Sequence, residues 1–191
     1  MTDIQPRTSR CGLMILRILF VVSLWHNSTV YAQEADLWLY AGGGKQLHTD
    51  EQHNRIFGAD VNVLHHRYSD IQTWSLGAGV AQLNANHGEI RELTAVSVFP
   101  QLTLRLPRTD HLKPYFFVRA LGPTYLSARG LGERKQAYSW AFQSQVGIGA
   151  YVGTTENWTL NVSFRHYSNA NFGKPNEGID TLLILTIGNR F

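Results

Sequence analysis

The stretch Tyr138-Ser139-Trp140-Ala141-Phe142-Gln143-Ser144-Gln145-Val146-Gly147-Ile148-Gly149-Ala150-Tyr151-Val152 changes character with nearly every step along the chain. In an extended backbone successive side chains point to opposite faces. Tyr138, Trp140, Phe142, Val146, Ile148, Ala150 and Val152 therefore share one face, and Ser139, Gln143, Gln145, Gly147 and Gly149 share the other. One face suits lipid and the other suits a packed, polar interior, which is the pattern of a membrane-spanning β-strand.

Working outward, the same alternation recurs. From Thr94 to Leu106, the residues Val96, Val98, Leu102, Leu104 and Leu106 oppose Ser97, Gln101, Thr103 and Arg105. Phe57, Ala59, Val61 and Val63 oppose Gly58, Asp60 and Asn62; Trp74, Leu76, Ala78 and Val80 oppose Ser75, Gly77 and Gly79; Phe116, Val118 and Ala120 oppose Arg119. With Leu37-Leu39-Ala41, Trp158-Leu160-Val162-Phe164 and the final run to Phe191, this predicts eight strands. After the first residues no stretch reaches the about 20 apolar residues of a membrane helix. The expectation is an all-β protein, an eight-stranded antiparallel up-and-down transmembrane barrel of the outer-membrane type, since an even strand number and closure leave no edge exposed to lipid. A barrel of this size fills its lumen with side chains, so a diffusion pore is not expected. The mean hydropathy of -0.19 does not argue against the bilayer, because alternation averages lipid-facing against lumen-facing residues.

Residues 1–32 read as a secretory signal removed from the mature chain, which then spans 33–191: Arg7, Arg10 and Arg17 surround an apolar run from Leu13 to Trp25, and Val30-Tyr31-Ala32 suits a signal peptidase. The one cysteine, Cys11, lies in that segment, so no thiol is expected in the mature protein. Three of the arginines behind the formal charge of +3 belong to that segment, which leaves a nearly neutral domain in which nucleic acid is not indicated. Phe191 resembles the terminal aromatic of outer-membrane barrels. These features place the protein in the outer membrane of a Gram-negative cell, with 44–54, 83–90, 125–136 and 169–178 as outer loops. The turns at Ser69-Asp70, Pro107 to Asp110 and Thr154 to Asn157 would be periplasmic. Asp60, Arg105, Arg119 and Arg165 are expected to pair inside the lumen. Trp38, Tyr40, Trp74, Tyr138, Trp140 and Trp158 are expected at the membrane interfaces.

The penultimate strand breaks the pattern. If Trp158, Leu160, Val162 and Phe164 face lipid, the same register puts His166 and Ser168 on the lipid face near the strand's outer end. Residues two apart on a strand point the same way at a separation of about 6.6 Å, which suits a base and the hydroxyl it activates. The hairpin that follows returns the last strand beside them, and a register pairing 166 with 180 sets Asp180 next to the histidine, in the place of a carboxylate that orients an imidazole.

The longer string Phe164-Arg165-His166-Tyr167-Ser168-Asn169-Ala170-Asn171, with Pro175-Asn176-Glu177-Gly178-Ile179-Asp180, resembles the C-terminal motif of the lipid A 3-O-deacylase (PagL) family. The resemblance implies an outer-membrane serine esterase that releases the ester-linked 3-hydroxyacyl chain from the 3 position of lipid A. It implies Ser168 as nucleophile, His166 as general base and Asp180 as orienting acid, with Asn169 and Asn176 at the oxyanion hole or positioning the substrate. The family usually has glutamate where this chain has Asp180, and Asp180→Glu is accordingly expected to give equal or greater activity. Lipid A, as part of lipopolysaccharide, is the implied partner. Arg129, Arg134 and Lys135 are first of all a solvated loop and secondly candidate contacts for its phosphates. No cofactor is called for, and the spacings of His48, Asp50, Glu51 and His53, or of His65-His66, certify no metal site. The alternatives are a non-catalytic barrel for adhesion or membrane integrity and, more remotely, acyl transfer to another acceptor; a homodimer gating the site stays open. An outward Asp180 sets Leu182 and Ile184 toward lipid, whereas an outward Phe191 sets Leu183, Leu185 and Ile187 there. A β-bulge or bend near the start of the last strand would reconcile the two.

Overall fold

The computed structural model describes residues 34–49, 51–108, 112–153 and 155–191. The expected signal segment, 1–32, lies outside the described residues, as do Asp50 and Asp110. In chain order the strands are β1 (Asp36–Lys45), β2 (His53–Arg67), β3 (Gln72–Ala85), β4 (Glu92–Arg105), β5 (Lys113–Leu126), β6 (Gly130–Leu131), β7 (Arg134–Lys135), β8 (Trp140–Val152), β9 (Trp158–Ser168) and β10 (Ile179–Arg190). β6 and β7 form a small ribbon by themselves; the other eight close into a barrel in the order β1-β10-β9-β8-β5-β4-β3-β2. β10 meets β1 in antiparallel register from Asp36↔Arg190 to Gly43↔Leu183, and Ala35 and Phe191 exchange two further backbone hydrogen bonds of 3.0 Å. Closure thus satisfies the backbone groups that an open edge would leave bare in lipid.

The predicted alternation holds along the barrel. Leu39, Phe57, Val80, Val96, Ile148, Leu160 and Leu185 are exposed on the outer wall, while Asn62, Ser97, Gln101, Gln143, Asn161 and Ser163 are buried within. Asp60 takes Arg119 and Arg165 as partners, the latter at 2.9 Å. The Arg119 guanidinium also sits over the Phe99 ring, its carbon 3.8 Å from the centroid. Two guanidiniums around one carboxylate satisfy charges that a narrow lumen could not otherwise hold. The inward glycines make the room: a Cβ at Gly79 would come within 1.9 Å of Asp60 Oδ1.

Two expectations are corrected. Trp38 and Tyr40 are not interfacial anchors but lumen residues, 3% and 6% exposed. The cause is parity: Leu37, Leu39 and Ala41 occupy the outer face of β1, so the even positions must point inward. Trp38 meets Phe117 edge-on at 5.2 Å, and Tyr40 receives a 2.7 Å hydrogen bond from Arg165. Arg105 does not join the central ion cluster. It ends β4 at the rim, where it reaches Glu156 at 3.4 Å and lies over the Tyr151 ring.

The parity conflict in β10 is resolved by a register shift between Thr181 and Ile184, where one extra residue is inserted opposite β9. Asp180 stays beside His166, and Leu183, Leu185 and Ile187 still face outward. A bulge moves every following side chain to the other face, so a single insertion satisfies both constraints.

Candidate active site

β9 keeps one register to its end. His166 is flanked by Ser144 on β8 and Asp180 on β10, and Ser168 lies opposite Phe142. Tyr167, between them, is fully buried in the lumen, so the histidine and serine emerge together on the outer wall. The site sits at the barrel end that carries segments 46–52, 86–91, 127–139 and 169–178.

Asp180 Oδ1 lies 2.7 Å from His166 Nδ1, with 5% of the Asp180 side chain exposed and 33% of the histidine's. A carboxylate facing Nδ1 makes that nitrogen the donor, which leaves Nε2 free to accept a proton. No hydrogen bond joins Ser168 Oγ to His166 among the described residues. Because the two side chains share a face two positions apart, closing that contact takes rotation of side chains, and such bonds commonly tighten only when substrate is present. Gly178 presses against the imidazole: a Cβ there would lie 2.2 Å from His166 Cε1.

A set of buried amides behind Asp180 escaped the reading of the sequence. Gln46 Nε2 donates to Asp180 Oδ2 at 2.5 Å, and Gln46 Oε1 accepts from Asp180 N at 2.9 Å. Asn54 Nδ2 donates to Gln46 Oε1 at 2.7 Å and to Asp180 O at 2.8 Å. Gln46, Gln52 and Asn54 are all fully buried. The signal for them was present: they continue the inward even parity of β1 and β2, and an inward amide at a barrel rim needs a polar partner.

The loop after Ser168 is held by its own asparagines. Asn169 Nδ2 donates to Gly173 O at 3.0 Å and to Pro175 O at 3.3 Å, while its backbone N–H donates to Asn176 Oδ1 at 2.9 Å. Asn176 Nδ2 donates to Asn171 Oδ1 at 3.0 Å. Ala170 and Asn171 turn the chain in the left-handed region, at φ 52° and 63°. The loop delivers Phe172 to an outward aromatic group beside the serine: Tyr138 stacks on Trp140 at 5.1 Å, and Phe172 lies 5.9 Å from Trp140 and 6.1 Å from Phe142. On the opposite flank Arg134 Nε, from the β6–β7 ribbon, donates to Gly178 O at 3.1 Å. Arg134 is thereby tied to the site's backbone. Among the described residues Lys135 is tied only through its backbone, which donates to Glu177 Oε2 at 2.7 Å.

A hydrogen-bonded histidine–aspartate pair with a serine on the same strand face is an arrangement able to activate a hydroxyl for acyl transfer. The fold agrees with known structures. The chain is similar to the outer-membrane enzyme PagL in its crystal structure, at 17% identity and TM-score 0.58, covering 82% of this chain and 98% of that one. Less similar are Ail of Yersinia pestis, at 15% identity, 84% and 100% coverage and TM-score 0.45, and OprG from Pseudomonas aeruginosa, at 12% identity, 84% and 96% coverage and TM-score 0.43. No individual curated protein matches the chain. The family model described as lipid A 3-O-deacylase (PagL) matches residues 19–186. With that match covering most of the chain and taking in His166, Ser168 and Asp180, the chain belongs to the lipid A 3-O-deacylase (PagL) family, the ester hydrolases of the outer membrane.

Proposed function

We propose that Ser168, His166 and Asp180 are the nucleophile, general base and orienting acid with which this lipid A 3-O-deacylase hydrolyses its substrate. The observation that carries the assignment is the 2.7 Å contact of Asp180 with His166 Nδ1 on the outer wall, where Ser168 shares the histidine's face. In this reading His166 Nε2 takes the Ser168 proton as Oγ attacks the carbonyl carbon of the 3-O-acyl ester. The tetrahedral intermediate collapses with cleavage of the bond to the sugar oxygen, which receives the proton from His166. Water, deprotonated by the same nitrogen, then attacks the acyl-enzyme and frees the 3-hydroxy fatty acid and Ser168.

Placement on the outer surface suits a substrate that never leaves its leaflet. An ester near the headgroup boundary can reach the site laterally, and its acyl chain can lie along the apolar wall beside Phe142 and Phe172. Asn169 and Asn176 serve substrate positioning by shaping the loop after the nucleophile. Residues 1–32 are assigned to a signal removed on export; N-terminal sequencing of the mature protein that begins upstream of 33 would reject that boundary.

The test is mass spectrometry of lipid A from cells producing the wild type or Ser168→Ala. Loss of one 3-hydroxyacyl chain with the wild type alone is expected. Identical spectra from both would reject the serine mechanism and favour a non-catalytic barrel.

A further inference from the structure

The buried amides behind Asp180 have a defined polarity. Glu133 N, a backbone donor, points at Gln52 at 2.8 Å, so the Gln52 atom there is its oxygen. The Gln52 amide nitrogen then faces Leu131 O at 3.1 Å and Asn54 at 2.7 Å, which makes the facing atom of Asn54 its oxygen. Asn54 in turn presents its nitrogen to Gln46 at 2.7 Å, and Gln46 is left with its nitrogen toward the Asp180 carboxylate at 2.5 Å. The Asp180 N–H, which can only donate, independently requires oxygen at the near side of Gln46, at 2.9 Å. Both ends agree, so the amide orientation follows from obligatory backbone groups and not from choice of rotamer.

We propose that Gln46 is a positioning residue of the deacylase, holding Asp180 Oδ2 so that Oδ1 alone addresses His166; the proposal rests on the triad assigned above. Among the described residues Asp180 has no lysine or arginine in ion-pair contact. The carboxylate is therefore fixed by a neutral dipole, and its charge remains uncompensated until His166 becomes cationic in the transition state. An arginine in the place of Gln46 would hold the carboxylate equally well but would neutralise it before the reaction, weakening stabilisation that is most useful when imidazolium forms. The chain of amides also explains why the β6–β7 ribbon is packed where it is: it supplies the Leu131 carbonyl and the Glu133 amide on which the polarity is anchored.

The test is a double-mutant cycle on the full-length protein, refolded or extracted in detergent and assayed for deacylation of purified lipopolysaccharide. Gln46→Met keeps the length of the side chain but removes the donor to Asp180. The expected result is a kcat lower by about 10- to 100-fold, the range found when partners that orient a reactive group are lost, with KM changed less than about twofold. In an Asp180→Asn background, itself lower by about 10⁴-fold by analogy with other triads, the same change should cost nothing further. Wild-type kcat in a folded Gln46→Met barrel overturns the proposal, and so does a loss of equal size in both backgrounds, since Gln46 would then act elsewhere. If Gln46→Met does not fold, Gln46→Leu is read against the same outcomes. Full activity of Asp180→Asn alone would reject the triad itself and the proposal with it, whereas a dead Asp180→Asn beside an active Gln46→Met rejects only the role of Gln46.

Discussion

Asp180 and His166 are direct cross-strand partners on β10 and β9, and the aspartate closes to 2.7 Å on the imidazole although the residue expected from the family is the longer glutamate. The shorter side chain is accommodated by the amide behind it, since Gln46 occupies the other carboxylate oxygen at 2.5 Å.

That contact leads to a prediction opposite to the one drawn from the sequence. With both carboxylate oxygens engaged, an added methylene has no free direction, and Asp180→Glu should lower kcat by about 10- to 100-fold, the order of effect that a displacement near 1 Å produces. Shortening the partner as well should restore room, so Gln46→Asn combined with Asp180→Glu is expected to be more active than Asp180→Glu alone. Initial rates of 3-hydroxy fatty acid release from lipopolysaccharide measure both, and a fully active Asp180→Glu would show that the two side chains are not sterically coupled.

Gly178 is expected to be intolerant of any side chain. The Cβ of Gly178→Ala would sit 2.2 Å from His166 Cε1, so the ring must move. Activity should fall by about 100-fold or more while the barrel remains folded. Folding is read from circular dichroism and from the compact mobility of the unheated protein in gels; normal turnover in the folded variant would contradict the contact.

The lumen makes a prediction about stability instead of catalysis. Replacing Asp60 by Ala leaves Arg119 and Arg165, both buried, without their shared carboxylate. The cost should be about 3–5 kcal/mol, as for other broken buried pairs. Urea unfolding in detergent micelles measures it, and an unchanged midpoint would mean that water or another group replaces the carboxylate.

Acid sensitivity should be modest at the turn opposite the site. The hydrogen bond from Lys113 to Glu156, 2.8 Å long, holds that carboxyl below its ordinary value of 4.5, with Arg105 adding to the effect. A carboxyl depressed in the folded state stabilises the fold at pH above its unfolded value, and that contribution is lost as pH falls from about 4.5 through the lower folded value. Glu156→Gln should therefore be slightly less stable near neutrality and lose less on acidification. Parallel stability curves for the two proteins would remove Glu156 from the account.

The architecture was legible because a barrel wall imposes one simple rule, alternation between two solvents, and that rule is written into single side chains. Val146 and Ile148 against Gln145 and Gly147 announce both faces of β8. The same rule carries His166 and Ser168 to the outer wall and requires an irregularity in β10. It also contained the correct placement of Trp38 and Tyr40, whose parity with Leu37 and Leu39 outweighs any tendency of aromatics to sit at interfaces.

What alternation cannot convey is which inward or loop residues meet across the sheet. Gln46 and Asn54 are separated from Asp180 by most of the chain, and they touch it only because closure brings β1 beside β10 and the bulge past Thr181 holds the final register. The sequence alone determined the faces of the strands, and with them the site's location, because side-chain direction is a local property of extended backbone. Only the tertiary structure decided how the acid is held, since hydrogen bonds between distant strands depend on register and on the closing of the barrel.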